Sequence, residues 1–252
     1  MHAPSPNRLE ALFASDVHLS ANRPQAVQRF FALLDRAVAA DALYLLGDIF
    51  DLWLGDDDDR VPHPHTLDRL AALARTTPVY IIRGNHDFLL GSAFADRTGC
   101  TLLADPSVIE LGGKRVLLMH GDTLCTEDVE YQAYREHVHR PEVQRAFLAQ
   151  SLDDRLRYAT DLSERSRTHT AHLAETITDV SITAVEKIVA AHQADILIHG
   201  HTHRPARHDI QRSTGTPGQR IVLSDWYALD NVLAFDGQFV DGPLDSVLPP
   251  QP

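Results

Sequence analysis

Residues 9–15 (LEALFAS), 42–46 (ALYLL) and 79–82 (VYII) are short, mostly apolar runs. Runs of this length without strict alternation fit strands buried on both faces. Between the first two, Val27, Phe30, Phe31, Leu34 and Val38 recur at helical spacing, and Pro24 suits a first helical turn. These five are expected on the apolar face of one helix. A second, shorter helix is predicted over residues 67–74. Residues 108–111 and 115–119 flank Gly112-Gly113 and read as a hairpin. Strand–helix–strand units followed by hairpins argue for an α/β protein with mixed sheets.

From residue 128 to 195 the pattern changes. Glycine is scarce, charge is dense and no strand is predicted. One helix is expected over 128–139, another after Pro141, and two or more beyond. Strand-like runs resume at 196–198, 207–211, 220–223 and 232–235. The chain thus divides into a core of residues 1–127 and 196–252, and a helical insertion of 128–195. The tail, GPLDSVLPPQP, is rich in proline and is expected to be loosely ordered.

With 252 residues, 44% hydrophobic and 23% charged, the chain suits one large domain carrying an insertion. Its 23 Lys and Arg against 35 Asp and Glu give a net charge of −12. That argues against a nucleic-acid partner. The opening MHAPSPNRLE lacks a basic segment followed by an apolar one, so no secretory signal is expected. No apolar run approaches the roughly 20 residues that span a bilayer. A cytoplasmic protein is expected, with Cys100 and Cys125 as free thiols. Fifteen histidines direct attention to a metal site.

Five polar clusters each follow a predicted strand: Asp16-Val-His18, Gly47-Asp48, Gly84-Asn85-His86-Asp87, His120-Gly121-Asp122 and Gly200-His201-Thr202-His203. Strand ends of an open α/β sheet gather on one edge, where sites form. Residues i and i+2 of an extended chain point to one side, so Asp16 and His18 can grip one ion. The same holds for His201 and His203, unless a turn splits them between two ions. Carboxylate, imidazole and amide make a mixed, moderately hard donor set without thiolate, which disfavours a structural zinc site. About seven ligands with one shared carboxylate suit two ions, the apparatus of phosphate ester displacement.

In order and spacing these clusters resemble the signature of the calcineurin-like metallophosphoesterases. That resemblance implies a four-layer sandwich of two mixed β-sheets flanked by helices, and a dinuclear centre with two Mn2+ or similar ions. By carry-over, Asp16, His18, Asp48 and His203 hold one ion; Asp48, Asn85, His120 and His201 hold the other. The stretches 41–58 (DALYLLGDIFDLWLGDDD), 84–91 (GNHDFLLG), 117–135 (LLMHGDTLCTEDVEYQAYR) and 198–208 (IHGHTHRPARH) are similar to one branch, the UDP-2,3-diacylglucosamine pyrophosphohydrolases of lipid A synthesis. The branch implies attack of metal-activated water on the α phosphorus, releasing UMP and 2,3-diacylglucosamine 1-phosphate. It implies substrate contacts at Asn85, Asp128, Ser166 and His201, and more loosely at Thr170; the chemistry adds His86 as a phosphate contact, with catalytic roles for Asn85, His86 and Asp87, the last positioning His86. It also implies a monomer bound peripherally to the cytoplasmic face of the inner membrane. His86 stands where the branch usually has Arg, and Leu173 where a cap lysine meets phosphate. His169, His172, Arg165 or Arg167 are candidates for the missing charge.

The insertion lies where that branch has its lipid-binding cap. Its apolar residues Tyr131, Tyr134, Val138, Phe147, Leu148, Leu152, Leu156, Tyr158, Leu162, Leu173 and Ile177 either line an acyl groove or pack the helices, about half of them doing the latter. Arg145, Arg155, Arg157, Arg165 and Arg167 face phosphates and headgroups, or form a solvated helix face. Elsewhere, Asp56–Asp59 reads as a solvated turn, Trp53 as core or a uracil contact, and Cys125 as no nucleophile.

Overall fold

A computed structural model of the chain describes residues 9–60, 62–170, 179–212, 215–227 and 230–249, and the side chains of these except 164–170. In chain order its elements are β1 (Ala11–Ala14), α1 (Pro24–Arg36), β2 (Leu43–Leu46), α2 (His63–Ala74), β3 (Val79–Ile82), α3 (Ser92–Thr98), β4 (Thr101–Leu102), β5 (Ser107–Leu111) and β6 (Lys114–Leu118). The helices α4 (Val129–Val138), α5 (Pro141–Leu148), α6 (Leu152–Thr170) and α7 (Ile182–His192) follow. The chain then forms β7 (Ile196–His199), β8 (Ala206–Gln211), β9 (Pro217–Val222), β10 (Asn231–Phe235), β11 (Phe239–Pro243) and the single turn α8 (Leu244–Val247).

Two mixed sheets result, ordered β11-β10-β1-β2-β3-β4 and β5-β6-β7-β9-β8. Strands β1, β2 and β3 run parallel in the first sheet, and β6, β7 and β9 in the second. Alternation of side chains along each strand builds the layers. Ala11 and Phe13 of β1 face the second sheet, packing with Val116, Leu118, Ile196 and Ile198. Leu12 and Ala14 face the opposite way, into a cluster with Phe30 and Leu33 of α1 and Leu67 and Leu70 of α2. On the far side Leu117 and Leu197 meet Val185 and Val189 of α7. This is the expected four-layer sandwich.

The predicted hairpin forms, with Gly112 and Gly113 at φ 56° and 73°. That left-handed pair is the two-residue turn whose twist matches its strands. Three expectations need correction. Val38 lies beyond α1 in a short 3-10 turn and is 51% exposed. The second helix starts at His63, because Pro64 sits in its first turn, where the missing N–H costs nothing. The described part of the tail, up to residue 249, is docked: Pro243 pairs with Asn231, Leu244 and Leu248 are buried, and Arg36 bonds Asp245 and the Leu248 carbonyl. Leu244→Ala is therefore expected to lower stability by about 2–4 kcal/mol in urea unfolding. A change below about 0.5 kcal/mol, the range of surface substitutions, would contradict this packing.

Candidate metal centre

The predicted clusters follow the carboxyl ends of β1, β2, β3, β6 and β7. These ends meet where the parallel cores of the two sheets come together. The approach is close enough to demand glycine. A Cβ on Gly84 would sit 2.1 Å from the Asp48 Oδ1, and one on Gly200 would sit 2.2 Å from the Asp16 Oδ2. Five ligand candidates, Asp16, His18, Asp48, His201 and His203, have positive φ between 51° and 68°. Such strain at non-glycine residues concentrates at functional sites.

Three groups of potential ligand atoms form: Asp16, His18 and His203; His18, Asp48 and His86; and Asp48, His120 and His201. His18 is common to the first two groups and Asp48 to the last two. The Asp48 Oδ2 lies 3.9 Å from His18 Nε2, 3.7 Å from His120 Nε2 and 4.0 Å from His86 Nε2. Its Oδ1 accepts the His86 N–H at 2.8 Å. Asp16 lies 3.4 Å from His203 Nε2 and accepts the His201 N–H with both oxygens. The Asn85 Oδ1 joins His120 Nε2 at 3.0 Å and His201 Nδ1 at 2.9 Å. All seven expected ligands thus gather in one place.

The donor set fits divalent cations. Asp16, His18, Asp48 and His120 are buried. Despite burial, which raises a carboxyl, neighbouring imidazoles hold Asp16 and Asp48 below the usual range. Burial pushes His18 and His201 down to about 4, leaving their nitrogens free to ligate near neutral pH. His18 Nε2 and His203 Nε2 face each other at 3.3 Å, and His18 Nδ1 is buried without a hydrogen bond. Two imidazole nitrogens that converge beside carboxylates have a cation as their natural common partner. His120 Nδ1 donates to the Leu46 carbonyl at 2.9 Å. This fixes the tautomer that presents the Nε2 lone pair to the centre. Against burial, Asp48, Asp122 and Asp16 raise His120 to about 9. A proton there balances charge that a metal would otherwise balance.

Other expected residues are placed differently. Asp87 does not reach the His86 ring. Its fully buried carboxylate accepts the N–H groups of Gly84 and Ile49 at 2.7 Å, and of Asp48 and Phe50 at 3.3 Å. It clasps the Asp48 loop to the Gly84 turn. The His86 ring is set by the Asp51 carbonyl, 2.8 Å from Nδ1. Asp128 caps α4, accepting the Tyr131 N–H at 3.0 Å. Ser166 and Thr170 lie on α6, but their side chains, with those of Arg165, Arg167 and His169, fall outside the described residues, as do Leu173, His172 and Ile177.

The acidic run is structural. Asp56 accepts the Gly91 and Phe94 N–H groups, Asp57 pairs with buried Arg155, and Asp58 pairs with Arg60. Arg155 is thereby committed to the core and does not face substrate; Arg157 pairs with Asp154. Trp53 is 2% exposed among Phe50, His63 and Phe94, which makes it core. Burial pushes Cys125 up to about 12, consistent with an inert thiol.

Sequence spacing missed the buried partners of the α4 loop. Asp122 accepts Tyr131 Oη at 2.8 Å and Arg135 Nε at 2.5 Å. Against burial, His120, His201 and Arg135 hold it at about 2. Tyr131 lies nearly parallel to His201, centroids 5.9 Å apart. Asp122 belongs to the His120-Gly121-Asp122 motif, and that position was its only signal.

The calcineurin-like phosphoesterase family profile matches residues 10–205. A UDP-2,3-diacylglucosamine hydrolase of Aeromonas hydrophila is 47% identical over 229 residues, covering 89% of this chain and 94% of that protein. A UDP-2,3-diacylglucosamine hydrolase of Coxiella burnetii is 45% identical over 231 residues, covering 90% and 95%. Among solved structures, an archaeal phosphodiesterase overlaps 93% of this chain and 99% of its own, at 12% identity and a TM-score of 0.49.

Proposed function

Because the chain belongs to the calcineurin-like phosphoesterase family, we propose that it hydrolyses the pyrophosphate bond of UDP-2,3-diacylglucosamine, releasing UMP and 2,3-diacylglucosamine 1-phosphate. The observation that carries this reading is the convergence of five strand-end loops on ligand groups linked through His18 and Asp48. Relatives bearing that activity in their name match nearly the whole chain.

Asp16, His18, Asp48 and His203 would hold one Mn2+ or similar ion, and Asp48, Asn85, His120 and His201 would hold a second. When bound, the two ions supply the positive charge and the acidified water that phosphoester displacement needs at neutral pH. The chain's own residues orient the ester. Asn85, whose Oδ1 meets His201 Nδ1 at 2.9 Å, presents its amide N–H to an equatorial phosphoryl oxygen. Asp87 acts indirectly, by clasping the loops that carry Asp48 and Asn85.

His86 is the residue that steadies the phosphate. Its Nδ1 proton is committed to the Asp51 carbonyl, so Nε2 donates only when the ring is an imidazolium. Burial lowers its pKa, but Asp48 and the Asp51 carbonyl outweigh this and raise it. The imidazolium is present below that raised value and lost as pH rises through it. The expected result is a fall in kcat on the alkaline side, flattened in His86→Arg, whose charge persists. His86→Ala is expected to lower kcat by roughly 10- to 1,000-fold across the range. Identical pH profiles for wild type and His86→Arg would contradict the role.

The insertion of residues 128–195 serves as a lipid cap on the core formed by 1–127 and 196–252, and its last helix, α7, doubles as a layer of that core through Val185 and Val189. Val129, Leu148, Tyr158 and Ile182 leave 71%, 40%, 52% and 75% of their surfaces exposed on its four helices. Apolar surface of this kind suits acyl chains or a bilayer face. Asp128, Ser166 and Thr170 are the polar substrate contacts that the family resemblance assigns to the insertion. No helix among the described residues is long and apolar enough to cross a membrane. The protein acts as a monomer on the cytoplasmic face of the inner membrane. The test of the metal requirement is UMP release after chelation and after adding Mn2+. Loss then recovery supports the reading; full activity in the chelator contradicts it.

A further inference from the structure

The two ends of the centre differ. At one end Tyr131 of α4 lies against His201, and α4 leads into the insertion. At the other end the Tyr227 ring lies 5.4 Å from His18 and 5.7 Å from His203. Tyr227 is 57% exposed. Its neighbour Trp226 is 1% exposed and donates its N–H to the Asp16 carbonyl at 3.1 Å, so the loop is anchored beside the ligands.

Arg23 completes the mount. Its Nη1 donates to the carbonyls of Val17 at 2.9 Å and His18 at 3.0 Å, and its Nη2 to the Trp226 carbonyl at 2.6 Å. The guanidinium carbon lies 4.2 Å from the Tyr227 ring centroid. One cation therefore ties the Asp16–His18 loop to the Tyr227 loop and braces the ring from one side. Aromatic rings so held lose little entropy on binding a planar ligand.

We propose that Tyr227, braced by Arg23, forms the nucleoside end of the site and packs against the uridine of the substrate. This rests on the reading that the substrate joins a uridylyl group to a diacylated sugar through a diphosphate. Such a substrate has two arms. The acylated arm runs past Tyr131 and His201 toward the insertion. The uridine arm then leaves past His18 and His203, where Tyr227 offers an exposed aromatic ring. A uracil offers a π face with polar edges, and an aromatic ring is its general partner.

The test compares metal-loaded wild type, Tyr227→Ala and Tyr227→Phe, all full-length. Calorimetry gives the Kd of UMP and of 2,3-diacylglucosamine 1-phosphate, and kinetics gives kcat and KM for UDP-2,3-diacylglucosamine. Tyr227→Ala is expected to raise the UMP Kd and the substrate KM by about tenfold or more, as for loss of one base–aromatic contact. The Kd of the lipid phosphate is expected to stay within about twofold, and Tyr227→Phe to behave as wild type. An unchanged UMP Kd in Tyr227→Ala, or equal weakening of both products, would overturn the proposal. Failure of wild type to hydrolyse the lipid substrate would sink the proposed function instead. The UMP comparison would still decide the role of Tyr227, since it needs only the product.

Discussion

Asp48→Asn is expected to lower kcat by about a thousandfold or more, and to weaken the binding of both metal ions. The magnitude exceeds the loss of a single charge-stabilising group, which is about 10²–10³. Asp48 is 2% exposed, and its Oδ2 stands within 4.0 Å of three imidazoles from three different loops. Asparagine keeps an oxygen for the His86 N–H but replaces the shared anionic oxygen with an amide. Both ligand groups thus lose their common charge. Metal content after dialysis and kcat on the same preparation check this. A variant that keeps one ion at wild-type affinity would show that Asp48 serves only the other.

Removing residues 141–178, with α4 and α7 kept, is expected to abolish turnover of the diacylated substrate. Hydrolysis of a small phosphodiester should be lowered far less. Acyl chains gain about 0.8 kcal/mol for each buried CH₂, so loss of their groove acts on the lipid substrate alone. α7 must stay because Val185 and Val189 cover Leu117 and Leu197 of the second sheet. The excision also frees Asp57 and Leu54 from Arg155 and uncovers Phe147's neighbours in the first core cluster. Thermal unfolding of the shortened protein therefore accompanies the assays. Equal loss on both substrates, with a lowered Tm, would assign the insertion a folding role.

The convergence of the candidate ligands was legible because they follow strands, and the strands are written as short apolar runs. Once residues 11–14, 43–46 and 79–82 are strands, Asp16, Asp48 and Asn85 fall on one edge. Parallel order in the sheet does the rest. The same runs announced the layers, since strands covered on both faces cannot alternate. What stayed hidden depends on partners distant in sequence. β4 has two residues, too few for any period, and β11 borrows its pairing from β10. The tail contains proline yet docks through Leu244 and Leu248, which no local pattern marks as buried. Asp87 sits beside His86 in sequence, but its carboxylate turns inward to backbone N–H groups, three of them 37 to 39 residues away. Arg155 reads as one of several basic residues on a helix, and only the fold shows Asp57 opposite it. Likewise Arg23 and Tyr227 carry no motif; they meet because the loops after β1 and β9 do.

The most direct test of the central claim is hydrolysis of UDP-2,3-diacylglucosamine by the Mn2+-loaded protein in ¹⁸O-labelled water, with both products weighed by mass spectrometry. The account predicts one ¹⁸O in UMP and none in 2,3-diacylglucosamine 1-phosphate, because water attacks the α phosphorus. Label in the lipid phosphate, or no UMP at all, would contradict it.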